Sequence, residues 1–210
     1  FNQSLLSFLQ QSPTPFHATR ELANQLSAVG FKALDESQAW NLLPGGRYFV
    51  TRNDSSIIAF VLPVGVDLAE AGLRMVGAHT DSPCLKVKPT PERVKEGYFQ
   101  LGVEVYGGAL LNPWFDRDLS LAGRVSYQCP EGTLRHALID FEDPIAVVPS
   151  LAIHLDRSAN EERTINPQLH LPLLLAITDK DSKPELRPLL LEQLQQQGDE
   201  AQEVLDFELY

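Results

Sequence analysis

The feature that most constrains the fold of this chain is a group of three short apolar segments that follow an amphipathic helix. Residues 47–52, 57–62 and 73–78 are rich in apolar side chains and are separated by turn-forming residues. They predict three strands, of which the second and third are buried. In segment 16–29, apolar side chains recur every three or four residues up to Gly30, which predicts a helix. A helix followed by apolar strands is typical of an α/β layer covered by helices.

The pattern changes in the second half of the chain. Several strand-like segments follow one another with no convincing helix between them, which indicates a separate all-β insert. Helices are predicted at 5–9 and at 186–197, and the last residues, 204–210, resemble the beginning of a strand. Because an apolar strand is an odd place for a natural chain to finish, we expect this sequence to be part of a larger protein. The strand-like segments are residues 99–106, 119–128, 134–141, 145–148 and 151–155.

Charge and composition exclude several classes of protein. Twenty-eight acidic against 17 basic side chains give a net charge of -11, which repels nucleic acid and anionic lipid. The longest apolar run, 57–62, is about a third of the length that a membrane-crossing helix needs, so we expect no membrane partner. Two cysteines, Cys84 and Cys129, are too few for a disulfide framework. We therefore expect a cytoplasmic protein.

His79 is the histidine whose surroundings most favour chemistry. It follows the predicted strand 73–78, and the ends of such strands are where α/β proteins place ligands and catalysts. Asp81, two residues later, is close enough to hold one ring nitrogen while the other binds a metal. The alternative is a histidine that is simply hydrogen-bonded to a neighbouring acid. The local pattern gives the two about equal weight.

His154 lies in the predicted strand 151–155, where alternation directs it to the face opposite Ile153 and Leu155. From that face it could reach a cleft from the insert. The alternative, which the local pattern favours, is a partly buried and hydrogen-bonded polar residue.

The other three histidines carry less information. His17 and Glu21 are one helical turn apart, a spacing that most often makes an exposed stabilising pair. His136 and His170 have no acidic or cysteine partner at a spacing typical of metal ligands. We expect both to be solvent or turn residues.

Segment 112–118 combines an aromatic pair with a cation, Arg117, between the carboxylates of Asp116 and Asp118. Such a cluster either lines a substrate pocket or is a structural bridge in which the arginine joins the two acids, and the local pattern favours the bridge.

The sequence contains no HExxH, GxSxG, GxGxxG or GxxxxGK[ST] motif, so several common chemistries have no support.

Four ordered motifs and a fifth near the start together resemble the aspartyl aminopeptidases, a family of dizinc metallopeptidases. The likeness covers essentially the whole chain. The motifs are GAHTDSP at 77–83, VYGG at 105–108, WFDRDLS at 114–120, IHLDR at 153–157 and SPTPFH at 12–17.

The resemblance implies an enzyme that releases N-terminal Asp or Glu from peptides with water activated by two zinc ions. It implies that His79 is a zinc ligand, that Asp81 orients it, and that His154 is either a metal ligand or a residue that reaches the active site. It also implies a large homo-oligomer, usually a dodecamer built from dimers.

The fold implied by the resemblance is a zinc-peptidase α/β sandwich, incomplete in this chain, with an inserted β-rich lid. Residues 1–90 would be the N-terminal part of the peptidase domain, 91–205 the lid and dimerisation domain, and 206–210 the start of the return to the peptidase domain.

The sequence departs from the family because the remaining metal ligands and the general base would lie beyond Tyr210. The alternative is therefore an inactive fragment that serves as a binding or oligomerisation module. Because a net charge of -11 repels acidic peptides, recognition of N-terminal Asp or Glu requires a local cation. Lys86, Lys88 and Arg117 are the candidates in this chain, with Arg117 named for substrate binding, and a cation beyond Tyr210 is the alternative.

Overall fold

The computed structural model describes residues 2–210, with the backbone alone at Ala71. The architecture is mixed α/β, as predicted, and the chain divides into two compact units, of which the first ends at Ser82 and the second is Pro83–Tyr210. The helices are α1 (Asn2–Gln10), α2 (Pro15–Ala28), α3 (Leu68–Ala71), α4 (Pro167–His170) and α5 (Leu186–Gln196). The strands are β1 (Lys32–Ala33), β2 (Arg47–Arg52), β3 (Ser56–Val61), β4 (Cys84–Lys95), β5 (Tyr98–Tyr106), β6 (Ala122–Gln128), β7 (Leu134–Asp140), β8 (Leu173–Ile177) and β9 (Glu203–Leu209).

Helix α2 begins at a proline and is capped by the residue before it. Pro15 suits the first helical position because its missing N–H would be unpaired there, and the Thr14 hydroxyl accepts a hydrogen bond from the backbone N–H of His17. This cap turns His17 inward, where it is buried and its Nδ1 lies 2.7 Å from the Thr14 hydroxyl. The predicted exposed pair of His17 with Glu21 is therefore wrong, because the start of the helix decides which face is buried.

The first unit contains a sheet in the order β1–β2–β3, in which β1 is parallel and β3 antiparallel to β2. Strands β2 and β3 confirm the strands predicted at 47–52 and 57–62. Tyr48, Phe49 and Val50 of β2 are buried, whereas β3 has no fully buried residue. The prediction that β3 is buried is wrong, because β3 is the last strand of this sheet and burial requires neighbours that its own sequence does not supply.

The third predicted strand, residues 73–78, is not a strand among the described residues. Its side chains are exposed, and Met75 and Val76 keep 85% and 102% of their reference surface. An apolar run of this kind is typical of a strand covered on both faces, but a strand exists only when a neighbour supplies the ladder of hydrogen bonds. Among residues 2–82, no strand pairs with this segment.

The second unit has two antiparallel sheets, in the orders β4–β5–β8 and β7–β6–β9. Helix α5 contributes Leu186, Leu190 and Leu194, which recur every fourth residue on one face and are completely buried. Each such leucine stabilises the fold by roughly 2 kcal/mol. The predicted helix 186–197 is thus confirmed. The other fully buried side chains of this core are Leu101, Val103, Leu121, Val125, Ile139, Val148, Leu171 and Leu209.

The strand predictions in the second unit have mixed outcomes. Segments 99–106, 119–128, 134–141 and 204–210 correspond to β5, β6, β7 and β9, whereas segment 145–148 makes only isolated bridges. Strands β4 and β8 were not predicted. The predicted strand 151–155 is wrong, because these residues form a turn that the Leu155 N–H closes on the Ala152 carbonyl at 2.8 Å.

Candidate functional site

The side chain of His79 is exposed over 79% of its surface and is held by its own loop. Its Nδ1 lies 2.7 Å from the backbone carbonyl oxygen of Asp81 and 3.4 Å from the carboxylate oxygen Oδ1 of the same residue. The sequence predicted a contact within this pair, and the structure brings the two residues together. The shorter contact, however, is with the main chain, which sequence reasoning did not anticipate.

This contact decides which ring nitrogen of His79 carries the proton. A backbone carbonyl has no hydrogen to donate, so the short contact is a hydrogen bond only if Nδ1–H of His79 donates to the Asp81 carbonyl. In the neutral imidazole, Nε2 then carries the lone pair, and a zinc ligand requires that lone pair. The arrangement fits a histidine prepared to bind a metal through Nε2.

The loop that carries His79 is tied to the hairpin between β2 and β3. The hydroxyl of Thr80 donates a hydrogen bond to the Ser55 carbonyl oxygen at 2.6 Å. Ser55 lies in the turn between these two strands, so a residue next to His79 is attached to the sheet of the first unit. His79 is therefore held in two ways, because Asp81 contacts its ring and the bond from Thr80 to Ser55 holds the loop next to it.

The described residues do not contain a complete metal site. Within residues 2–210, no group of three or more His, Cys, Asp and Glu side chains is arranged to hold a metal ion. A catalytic zinc takes three protein ligands and an open position. His79 therefore fits zinc as one ligand, and no preformed set of three ligands accompanies it within residues 2–210.

His154 belongs to the second unit and is exposed in the turn that replaces the predicted strand. The neighbouring Ile153 and Leu155 are exposed as well, at 46% and 74%, and the favoured alternative of a partly buried His154 is wrong. The alternation argument failed because it requires a paired strand. The imidazole is accessible in this conformation.

His136 and His170 are exposed, as predicted. His136 lies on β7, and His170 ends α4, where its Nδ1 accepts a hydrogen bond from the backbone N–H of Asn166 at 3.0 Å.

The three cations considered for substrate binding differ in their partners. Lys86 donates to the Glu208 carboxylate at 3.1 Å, and Lys88 pairs with Glu104 at 3.0 Å. Arg117 is exposed and, within the described residues, forms no ion pair. The predicted structural bridge from Arg117 to its neighbouring acids is therefore wrong, and this guanidinium is available to an anionic ligand.

Lys86 and Glu208 form a charged cluster that joins the two sheets of the second unit, and Arg124 completes it at 2.8 Å from the same carboxylate. Partial burial alone would raise the pKa of Glu208, but hydrogen bonds from Lys86 and Arg124 outweigh it and hold that pKa below its ordinary value. Burial likewise works against the charge of Lys86, yet hydrogen bonds to Glu208 and Tyr210 raise its pKa overall. The sequence gives no signal for this cluster, because its members are far apart in the chain.

The described part of the chain also bears on the expectations for membrane helices and disulfides. No helix in the described part of the chain is long and apolar enough to cross a membrane. Cys84 lies on β4 and Cys129 is buried after β6, and neither forms a disulfide in the described structure.

The chain is similar to known zinc peptidases. Residues 8–210 match the family described as Aminopeptidase I zinc metalloprotease (M18). The chain is 60% identical over 209 residues to the probable M18 family aminopeptidase 2 of Stutzerimonas stutzeri (strain A1501). The matched region covers 99% of this chain and 48% of that protein. This chain therefore spans about half the length of the curated relatives it matches.

Several solved structures have a similar fold. A chain in the cryo-EM structure of the Ape4 and Nbr1 complex superposes with a TM-score of 0.86 at 36% identity, covering 99% of this chain and 42% of its own. The structure of the S. cerevisiae mApe1 dodecamer superposes with a TM-score of 0.77 at 29% identity, covering 99% and 46%.

Proposed function

The chain belongs to the aminopeptidase I zinc metalloprotease family, M18, and from this premise we propose that it is the amino-terminal part of a zinc-dependent aminopeptidase. The reaction is the release of N-terminal acidic residues, Asp or Glu, from peptides by metal-activated water. When bound, two zinc ions would polarise the scissile carbonyl and lower the pKa of a bound water toward neutrality.

The observation that carries this proposal is the hydrogen bond from Nδ1–H of His79 to the Asp81 carbonyl. It leaves Nε2 with its lone pair on an exposed ring, which is the state in which a histidine binds zinc. We assign His79 as a zinc ligand and Asp81 as the residue that orients it. The Asp81 carboxylate, 3.4 Å away, adds electrostatic support when zinc draws charge from the ring.

We assign Arg117 to binding the acidic side chain of the substrate. Lys86 and Lys88 are each paired with a glutamate, whereas Arg117 forms no ion pair within residues 2–210. A protein with a net charge of -11 needs such a cation to hold an acidic residue, and a guanidinium binds a carboxylate through two hydrogen bonds.

We assign His154 to the active site as a residue that reaches zinc or substrate from the β-rich part of the chain. Its accessibility on an exposed turn is compatible with that role. The corresponding division is a peptidase portion at 1–90, a lid and dimerisation domain at 91–205, and a return to the peptidase domain at 206–210.

We further propose that the protein works as a homo-oligomer in the cytoplasm. The assembly would be a dodecamer built from dimers, and the similar structure of the mApe1 dodecamer supports the dodecameric state. A cytoplasmic location agrees with the presence of only two cysteines, which form no disulfide in the described structure.

The decisive experiment uses the full-length protein that contains this chain. We expect it to hydrolyse a chromogenic amide of aspartate, to lose that activity with a chelator, and to regain it when zinc is restored. A matched amide of leucine measures the preference for acidic residues. Turnover that a chelator leaves unchanged would overturn the zinc assignment. A full-length protein that binds no zinc and cleaves neither amide would favour the inactive binding or oligomerisation module.

A further inference from the structure

The segment that carries His154 is attached at its beginning to Asp116. The carboxylate Oδ1 of Asp116 accepts a hydrogen bond from the backbone N–H of Ser150 at 2.8 Å, and the N–H of Asp116 donates to the Val148 carbonyl at 2.9 Å. Asp116 also has a φ of 54°, in the left-handed region, which few residues other than Gly, Asn and Asp adopt readily. One residue thus holds the chain on both sides of Pro149, just before the turn of His154.

The same segment is attached at its end to the residue next to Asp116. The guanidinium of Arg163 lies 4.0 Å from the centre of the Phe115 ring, within the range of a cation–π contact. Its Nε is 3.8 Å from Asp156, so this arginine also holds the middle of the segment. Residues 150–163 therefore form a loop whose two ends meet at Phe115 and Asp116.

Between these two attachments, the loop is ordered by its own hydrogen bonds. The N–H groups of Leu155 and Asp156 both donate to the Ala152 carbonyl, at 2.8 and 3.2 Å. These bonds make the turn around His154 a compact unit. The position of the imidazole then depends on where the ends of the loop are held rather than on how the turn itself is folded.

We propose that Asp116 is a positioning residue that places His154 for the aminopeptidase reaction, and this inference rests on the proposed function. Asp116 is exposed and contributes no apolar surface to the core of the second unit. Its side chain acts on the loop through hydrogen bonds from Ser150, so its loss displaces the loop without removing core packing. A displacement of about 1 Å in a residue that contacts substrate can lower the rate about 100-fold.

The ionisation state of Asp116 is consistent with this arrangement. Hydrogen bonds from the backbone and side chain of Ser150 lower the pKa of the Asp116 carboxyl, and the nearby charge of Arg163 lowers it further. Asp116 is therefore a carboxylate at neutral pH and accepts from the Ser150 N–H as a charged group, which strengthens the bond.

The test compares two substitutions of Asp116 in the full-length protein. Asp116→Gly keeps the positive φ and removes the acceptor, whereas Asp116→Asn tolerates the same φ and keeps an acceptor oxygen. We expect Asp116→Gly to lower kcat/KM by about 10- to 100-fold, mainly through kcat, and Asp116→Asn to restore most of it. Hydrogen exchange of residues 151–163 should rise in the glycine variant alone.

A double-mutant cycle with His154→Ala separates positioning from general stability. If Asp116 acts through His154, Asp116→Gly causes little further loss of kcat/KM in the His154→Ala background. Losses that multiply in the double variant, or unchanged exchange of residues 151–163, would overturn the positioning role in an otherwise active enzyme. A wild-type protein without peptidase activity would instead overturn the proposed function, and with it any catalytic role for the attachment of the loop to Asp116. Hydrogen exchange of residues 151–163 distinguishes this failure from a failure of the positioning role, because it reports on the loop without requiring activity.

Discussion

The ring of His79 is held through Nδ1 by the backbone carbonyl of Asp81, 2.7 Å away, while the carboxylate of the same residue lies 3.4 Å away. The orienting contact thus survives a change of the Asp81 side chain that leaves the loop intact. This distinguishes the pair from a histidine that depends on a carboxylate alone.

The first prediction follows from this contact. In the full-length protein, His79→Ala should lose bound zinc, because it removes a ligand. Asp81→Asn should weaken zinc binding by about tenfold, the lower end of the range for an orienting partner, since the carbonyl still holds Nδ1. Elemental analysis after dialysis against graded zinc buffers measures both effects. An equal loss of zinc in the two variants would mean that the carboxylate, not the carbonyl, orients the ring.

The second prediction concerns Arg117 and the preference for acidic residues. Arg117→Gln should lower kcat/KM for Asp and Glu substrates by about 10- to 100-fold, the usual effect of losing a hydrogen bond to a charged group. Lys88→Gln is the control, because Lys88 is already paired with Glu104 on the surface. Steady-state kinetics with acidic and neutral N-terminal residues give the comparison. Equal losses for both kinds of substrate in Arg117→Gln would contradict the assignment.

The third prediction concerns stability at acid pH. The pKa of Glu208 is lowered in the folded protein from an ordinary value of 4.5, so the unfolded state binds the proton more tightly. Its charged hydrogen bonds therefore stabilise the fold above pH 4.5, and that contribution is lost as the pH falls through the lower folded value.

Glu208→Gln isolates this effect from the other carboxylates. We expect the variant to be less stable than the wild type at pH 7, with the difference narrowing as the pH falls below about 4.5. Urea unfolding of both proteins at several pH values measures the free energies. A difference in the free energy of unfolding that widens toward acid pH would show that Glu208 does not lose its stabilising contribution on protonation.

The fourth prediction concerns the close approach of β6 and β9. A Cβ at Gly123 would lie 2.0 Å from the Glu208 carbonyl oxygen and 2.9 Å from the Leu209 Cα, so no rotation of a side chain can relieve the clash. Gly123→Ala should destabilise the protein by about 3 kcal/mol or more, at the upper end of overpacking effects.

Gly108→Ala is the matched control for this substitution, because a Cβ at Gly108 meets nothing within 4 Å. Denaturant unfolding of the two variants gives the comparison. Comparable stability in both would mean that β6 and β9 separate at little cost.

Sequence reasoning succeeded where a segment carries its own local signals. Helices α2 and α5 have apolar faces at helical spacing, and α2 begins at a proline. Strands β2 and β6 are short; β2 has an apolar run at its centre, and β6 alternates buried apolar with half-buried polar residues. The motif around His79 likewise joins two residues that are neighbours in the chain, so their contact could be anticipated from spacing alone.

It failed where the outcome depends on a distant partner. Segment 151–155 alternates like a strand, but the carboxylate of Asp116 and the ring of Phe115 hold the two ends of its loop, and no strand pairs with it in the described structure. Strand β4 was missed because its ladder with β5 compensates for prolines that locally disfavour a strand.

Local sequence patterns were enough to predict the family motifs, the mixed α/β class and the helices whose apolar faces recur at a fixed period, because these depend on chemistry within one turn or a few neighbouring residues. The three-dimensional fold was needed to show that residues 73–78 lack a strand partner among the described residues, that His154 lies on a turn, and that Arg117 has no ion pair there. Each of these outcomes depends on which group the fold brings next to the segment or side chain. The sequence shows which contacts a residue can make, but not how far it lies from each possible partner.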